Sequence, residues 1–172
     1  MSRTKQKREQ NGEILSARAA EPVGPYPHAR RVGNLLFVSG TGPRRRGQKE
    51  TPGVTLDAQG RVTAYDITAQ CRAVFENLRF ILEDAGSSWD RIVDVTTFLT
   101  NMDDFPAYNA VYAEHFPENR PTRTTVQVNR LPGPIAVELK VIATIDERRS
   151  RRMARTGLPS APAIRSGRAI SS

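Results

Sequence analysis

Between residues 67 and 85 the apolar side chains step by three and four: Ile67, Cys71, Val74, Phe75, Leu78, Ile81, Leu82 and Ala85. At 3.6 residues per turn this spacing lines one face, which predicts an amphipathic helix. Asp66 stands where an N-cap would accept a backbone N–H, and Gly86 where the helix needs a stop. Residues 91–99, RIVDVTTFL, are β-branched and partly alternating, and predict a strand. A second helix is expected after Asp103 and Asp104 as its caps. Phe105, Tyr108, Tyr112 and Phe116 are its spaced apolar positions, Pro106 is tolerated in the first turn, and Pro117 and Pro121 close it.

Strand pairs flank these helices. Residues 29–41, ARRVGNLLFVSGT, read as a hairpin turning at Gly33-Asn34, with Leu35 to Val38 as its buried strand. Residues 42–65 are rich in Gly, Pro, Arg and Thr and read as a long loop, with a short strand near Arg61 to Ala64. The stretch PTRTTVQVNRLPGPIAVELKVIA, 121–143, reads as two strands joined by a tight turn. On its first strand Arg123, Thr125 and Gln127 share a face. On its second, Val137, Leu139, Val141 and Ala143 share an apolar face, and Glu138 and Lys140 lie opposite. A hairpin symmetric about Gly133 sets Glu138 across from Val128, so Arg123 and Glu138 are offset and would meet only by twist or across a subunit boundary. The order β-β-(β)-α-β-α-β-β predicts an α/β (α+β) domain, a mixed sheet with two helices on one face. Nothing in the domain is left to cover the other face, which points to oligomerisation.

Charge changes this picture little. The net charge of the 172 residues is +8, but residues 13–146 sum to −1. The excess lies at the ends, which divides the chain into a basic tail, 1–20, a domain, 21–146, and a basic C-terminal tail, 147–172. The C-terminal segment is rich in Ser, Pro, Gly and Ala. It reads as disordered or as a polyanion-binding arm. No apolar run is long enough to span a membrane, and no h-region follows the charged N-terminus, so a cytoplasmic location is expected. One cysteine and two histidines are too few for a zinc cluster, and no metal is expected.

No nucleophile elbow, P-loop, dinucleotide fingerprint or zincin motif is present. Cys71 sits on the apolar helix face and reads as a core thiol. His28 lies near Tyr26, and His115 on the second helix. Arg123 and Glu138 carry two readings. They are solvent-facing strand charges, or an arginine clamp for a carboxylate with a glutamate orienting a water.

GPYPHARRVGNLLFVSGTGP, the long block from AQCRAVFENL to RTTVQVNRLPGP, and VELKVIATI closely resemble the RidA (YjgF) family of enamine/imine deaminases, from about Glu21 to Ile145. The resemblance implies a chorismate-mutase-like fold and a homotrimer whose sheets line a central barrel, with active sites between subunits and no cofactor. By position it implies that Arg123 binds the substrate carboxylate, that Glu138 positions the hydrolytic water, and that Tyr26, Ser39, Gly40 and Asn109 line the pocket. Two departures stand out. Ser39-Gly40-Thr41-Gly42-Pro43 is followed by three arginines where S-G-Q-I-P is usual, and Thr125 replaces a frequent cysteine. Both look like the 2-aminomuconate deaminase branch. A second substrate carboxylate needs a second cation, from Arg44, Arg45 or Arg46, unless these are simply a solvated run. The alternatives are a 2-iminobutanoate/2-iminopropanoate deaminase, or a non-catalytic trimer that binds small carboxylates, or RNA through its tails.

Overall fold

The computed structural model of the chain describes residues 11–145. Its strands are β1 (Glu13–Ile14), β2 (Ala29–Val32), β3 (Leu35–Thr41), β4 (Val54–Leu56), β5 (Val62–Tyr65), β6 (Ile92–Leu99), β7 (Thr122–Gln127) and β8 (Val137–Thr144). Its helices are α1 (Ile67–Asp84) and α2 (Phe105–His115). Six strands form one mixed sheet in the order β1-β2-β3-β8-β6-β7, and β4 and β5 pair separately.

The periodic elements form where their patterns place them. In α1 the Asp66 carboxylate accepts from the Ala69 N–H at 3.0 Å. Gly86, at φ +77°, lets the chain leave the helix while Ser87 N–H closes on the Leu82 carbonyl at 2.8 Å. The β2–β3 hairpin turns on Gly33-Asn34, with Val32 paired to Leu35 and Gly33 at φ +60°. α2 starts differently from expectation. Asn101 is the capping side chain, accepting from Asp103 N–H at 3.1 Å ahead of a 3₁₀ turn, Met102–Asp104. The Asp104 carboxylate accepts from the Tyr65 hydroxyl at 2.7 Å instead, and Pro106 removes one of the N–H groups that it would have capped.

Two further expectations change. Residues 42–65 contain a real hairpin, β4–β5, whose turn is held by the Asp57 carboxylate accepting from Gln59 and Arg61 N–H. Residues 13–14, placed in the N-terminal tail by composition, form an edge strand on β2, and Ser16 and Ala19 behind them are buried.

The largest correction concerns residues 121–143, which are not a hairpin. β6 lies between β7 and β8, parallel to the first and antiparallel to the second. β6, α2 and β7 form a strand–helix–strand unit, and such a crossover sets its two strands side by side and parallel. Residues 128–136 then carry the chain past the end of β6. There Val128 N–H bonds to Leu99 O at 2.8 Å and Thr100 N–H to Ala136 O at 3.0 Å.

Both helices pack on one sheet face. Leu36, Val38, Val95, Leu99, Val137, Leu139, Val141 and Ala143 meet Val74, Phe75, Leu78, Leu82, Tyr108 and Val111 in one core. The opposite face has no layer over it among the described residues. Phe37 and Val126 are more than a third exposed there. No helix of the described residues is long and apolar enough to cross a membrane.

Candidate active site

β8 alternates its side chains, and the odd-numbered ones fill the core. Glu138 therefore stands on the open face, half-buried, and loss of hydration pushes its carboxyl above the usual carboxylate range. Beside it the register of β3 on β8 shifts between Val38 and Thr41. The irregularity brings the Gly40 backbone against the carboxylate so closely that a Cβ at residue 40 would collide with Glu138 Oε1. A side chain at position 40 would require the Glu138 carboxylate to move.

Glu138, Gly40, Ser39, Tyr26 and Arg44 line one open cleft of about 540 Å³. Its wall is tied down from several elements. Ser39 Oγ donates to Pro27 O at 2.7 Å, and Asn77 of α1 donates from Nδ2 to the carbonyls of Gly42 and Arg44 at 3.0 and 2.6 Å. Asn77 was missed by sequence reasoning, although a buried amide beside Leu78 is the signal for it. Gln70, also buried on α1, accepts from Ala136 N–H at 2.8 Å and anchors the approach to β8.

Arg123 lies elsewhere. Its Nη1 donates to Asn109 Oδ1 at 2.9 Å, and its guanidinium carbon sits 4.5 Å from the Tyr112 ring centroid and 5.6 Å from those of Phe105 and Tyr108. One face of α2 thus supplies an aromatic bed and one hydrogen-bond acceptor. A flat cation stacked this way keeps the rest of its donor fork for an anion. Tyr108 shares a hydrogen bond with Thr97 at 2.6 Å, and burial pushes its hydroxyl up to about 12. Burial also raises Tyr112, against the lowering effect of the Arg123 charge. Thr125 Oγ1 is buried without a hydrogen-bond partner among the described residues. It stands two residues from Arg123 on the same face, where Thr125, Phe105 and Met102 line a second cleft of about 440 Å³.

Register settles how the two halves relate. Val95 pairs with both Arg123 and Val141, so Arg123 points to the helix side. Phe98 pairs with both Val126 and Glu138, so Glu138 points to the open side. Paired residues share a face in either kind of ladder. Arg123 and Glu138 of one chain therefore project from opposite faces, and twist does not bring them together.

The arginine run divides as well. Arg44 reaches the Glu138 cleft, with Nη2 donating to Glu21 O at 2.7 Å. Arg45, expected to bind substrate, instead lines a third cleft with Glu50 and Asp66, and pairs with Glu76 at 3.4 Å. Arg46 bonds to Glu21 Oε1 and to the carbonyls of Ala19 and Ser16. Arg44 therefore lines the cleft, whereas Arg45 and Arg46, at a turn closed by Gln48 N–H on the Arg45 carbonyl at 3.2 Å, do not.

The remaining candidates have structural employment. His28 is buried. Its Nδ1 accepts from Ser16 N–H at 3.0 Å, so Nε2 carries the proton and donates to Ala20 O at 2.8 Å. His115 stacks on Phe75 at 4.4 Å. Cys71 is fully buried in the core, and desolvation pushes its thiol up to about 12, which leaves it unreactive.

Residues 16–145 match the family model described as Endoribonuclease L-PSP. A RutC family protein of Pyrococcus abyssi is 38% identical over 131 residues, spanning 76% of this chain and 94% of that protein. Its counterpart in Pyrococcus horikoshii is 39% identical over 131 residues, with the same shares. Among solved structures, E. coli TdcF with bound serine superposes with a TM-score of 0.67 at 33% identity, covering 78% of this chain and 98% of that one. The YjgF gene product from E. coli superposes with a TM-score of 0.66 at 31% identity, covering 77% and 97%.

Proposed function

Because the chain belongs to the endoribonuclease L-PSP (RidA/YjgF, RutC) family, whose members are generally enamine/imine deaminases, we propose that it hydrolyses enamine or imine acids to 2-oxo acids and ammonia. The observation that carries this reading is the pair Arg123 and Glu138 on opposite sheet faces. One copy of the chain offers the carboxylate clamp and another the base, in a homotrimer whose open sheet faces pack against one another. The apolar side chains left uncovered on that face support such an assembly, as does the resemblance to the family.

The chemistry follows from the residue types. The substrate carboxylate lies bidentate on Arg123, which fixes the reacting carbon in place. The enamine tautomerises to the imine. Glu138 takes a proton from a water whose oxygen adds to the C=N carbon and passes that proton to the nitrogen, giving a carbinolamine. It then takes the hydroxyl proton and delivers it to the amine as the C–N bond breaks, so that the 2-oxo acid forms and ammonia leaves. A carboxylate raised by partial burial is a better base for this exchange than a fully solvated one. Bound serine in TdcF accords with a small amino or imino acid as the ligand. The most specific reading is a 2-aminomuconate deaminase, supported by the arginine run with Arg44 in the cleft and by Thr125. A deaminase of 2-iminobutanoate and 2-iminopropanoate is the runner-up.

Ammonia release from enamines generated in situ tests the proposal, with 2-aminomuconate compared against 2-aminoacrylate. Arg123→Ala is expected to lower kcat/KM by about a hundredfold or more. Wild-type activity in that variant would end the assignment. The rival reading, a binding trimer without turnover, draws on the basic ends of the chain, which lie outside the described residues, and on the family's description. It requires RNA affinity that vanishes with residues 147–172 and falls steeply with salt. Turnover that survives this deletion favours the enzyme.

A further inference from the structure

Glu138 shares its cleft with three cations, Arg30, Arg44 and Lys140. Of the other surface arginines, Arg18 is spent on Glu83 and Asp84, Arg61 on Asp57 and Arg72 on Glu114, whereas Arg79, Arg120 and Arg130 make no ion pair among the described residues. Among the described residues Arg44 is held only by the Glu21 carbonyl through Nη2, which leaves most of its fork unused there. Arg30 and Lys140 make no ion pair among the described residues. Lys140 is two residues beyond Glu138 on the same face of β8, hence about 7 Å along the strand. Arg30 is paired to Phe37, which is paired to Ile142, so it lies one further step out in the same direction.

Glu138 is the one carboxylate among the cleft's lining residues, and Glu13 is the cross-strand partner of Arg30 at its outer end. A cleft lined this way concentrates anions. In the deaminase reading, on which this inference rests, the substrate's first carboxylate is already taken by Arg123 of the neighbouring copy. We propose that Arg44 and Lys140, with Arg30 at the outer end, form a second anion subsite. The substrate is accordingly an enamine or imine acid with a second carboxylate, or an equivalent anion, several bonds from the reacting carbon. Arg30 and Lys140 lie far from the Gly-rich loop in sequence and join the subsite only through the sheet register. The guanidinium fork of Arg44 supplies directional hydrogen bonds, and the ammonium of Lys140 a point charge.

The test is equilibrium binding of two stable probes to the full chain by calorimetry. Muconate and sorbate have the same conjugated six-carbon skeleton and differ only in a second carboxylate. Muconate is expected to bind wild type at least about tenfold more tightly, the worth of one good charge-assisted contact. Arg44→Ala/Lys140→Ala should abolish that ratio, Arg44→Lys/Lys140→Arg should keep most of it, and Arg123→Ala should weaken both probes alike. Equal binding of the two probes by wild type, or a ratio that survives the double alanine variant, would overturn the subsite. If the ratio behaves as expected but no enamine dicarboxylate is turned over, the deaminase reading falls and the subsite stands.

Discussion

At the scale of the residue, the proposed mechanism makes Glu138 a compromise between stability and chemistry. Its burial raises the folded carboxyl above its unfolded value. A raised acid favours the protonated fold, so its stabilising contribution is full below the unfolded value and is lost as pH rises through the folded one. Glu138→Gln should therefore leave the melting temperature at pH 7 equal or higher, with the two proteins converging in acid, as calorimetry would read. The same variant should lose turnover, and with it the acid limb of the wild-type pH profile, along which kcat/KM falls as the base protonates. A lower melting temperature at pH 7 would contradict this account of the burial. Gly40 belongs with the glutamate. Gly40→Ala forces the carboxylate aside, and is expected to cost far more in kcat than in stability.

At the scale of the element, the helices were legible and the strand partners were not. The periodicity of α1, its Asp66 cap and its Gly86 exit are local, so 3.6-residue spacing was enough to find them. The placement of Arg123 and Glu138 on their own strands was also legible, since side chains alternate in any strand. Whether β7 and β8 touch depends on β6, which lies some 25 residues upstream and inserts between them. A Pro- and Gly-containing connection looked like a tight turn because nothing in residues 121–143 records a strand passing through. Buried amides hold these elements in place. Asn77→Ala removes two hydrogen bonds to the Gly42–Arg44 loop, and should cost about 1–3 kcal/mol in denaturant unfolding. His28→Ala frees the Ser16 N–H and the Ala20 carbonyl, so amides of β1 should lose hydrogen-exchange protection before those of β8.

At the scale of the molecule, the proposed division of the site between copies can be tested without knowing the substrate's identity in detail. Arg123→Ala and Glu138→Ala are each expected to be inactive alone. Co-refolded in equal amounts, they should regain about a quarter of wild-type activity, the fraction of sites that draw an intact residue from each neighbour in a random cyclic trimer. No recovery in assemblies shown to be mixed would place both residues in one copy's site and refute the proposed arrangement. An aspartate at Phe37 on the uncovered face should lower the mass in light scattering and abolish activity together.

The linear chain determined what short-range periodicity can encode: two helices, the alternation of each strand, a core face, and a motif specific enough to indicate the family. The tertiary structure decided which residues become neighbours. It separated Arg45 and Arg46 from the cleft, brought Arg30 and Lys140 into it, and turned Arg123 and Glu138 to opposite faces of the sheet. The physical reason is that alternation fixes a side chain's face relative to its own strand. The order and register of strands are set by hydrogen bonds between segments distant in sequence, and no local pattern records them.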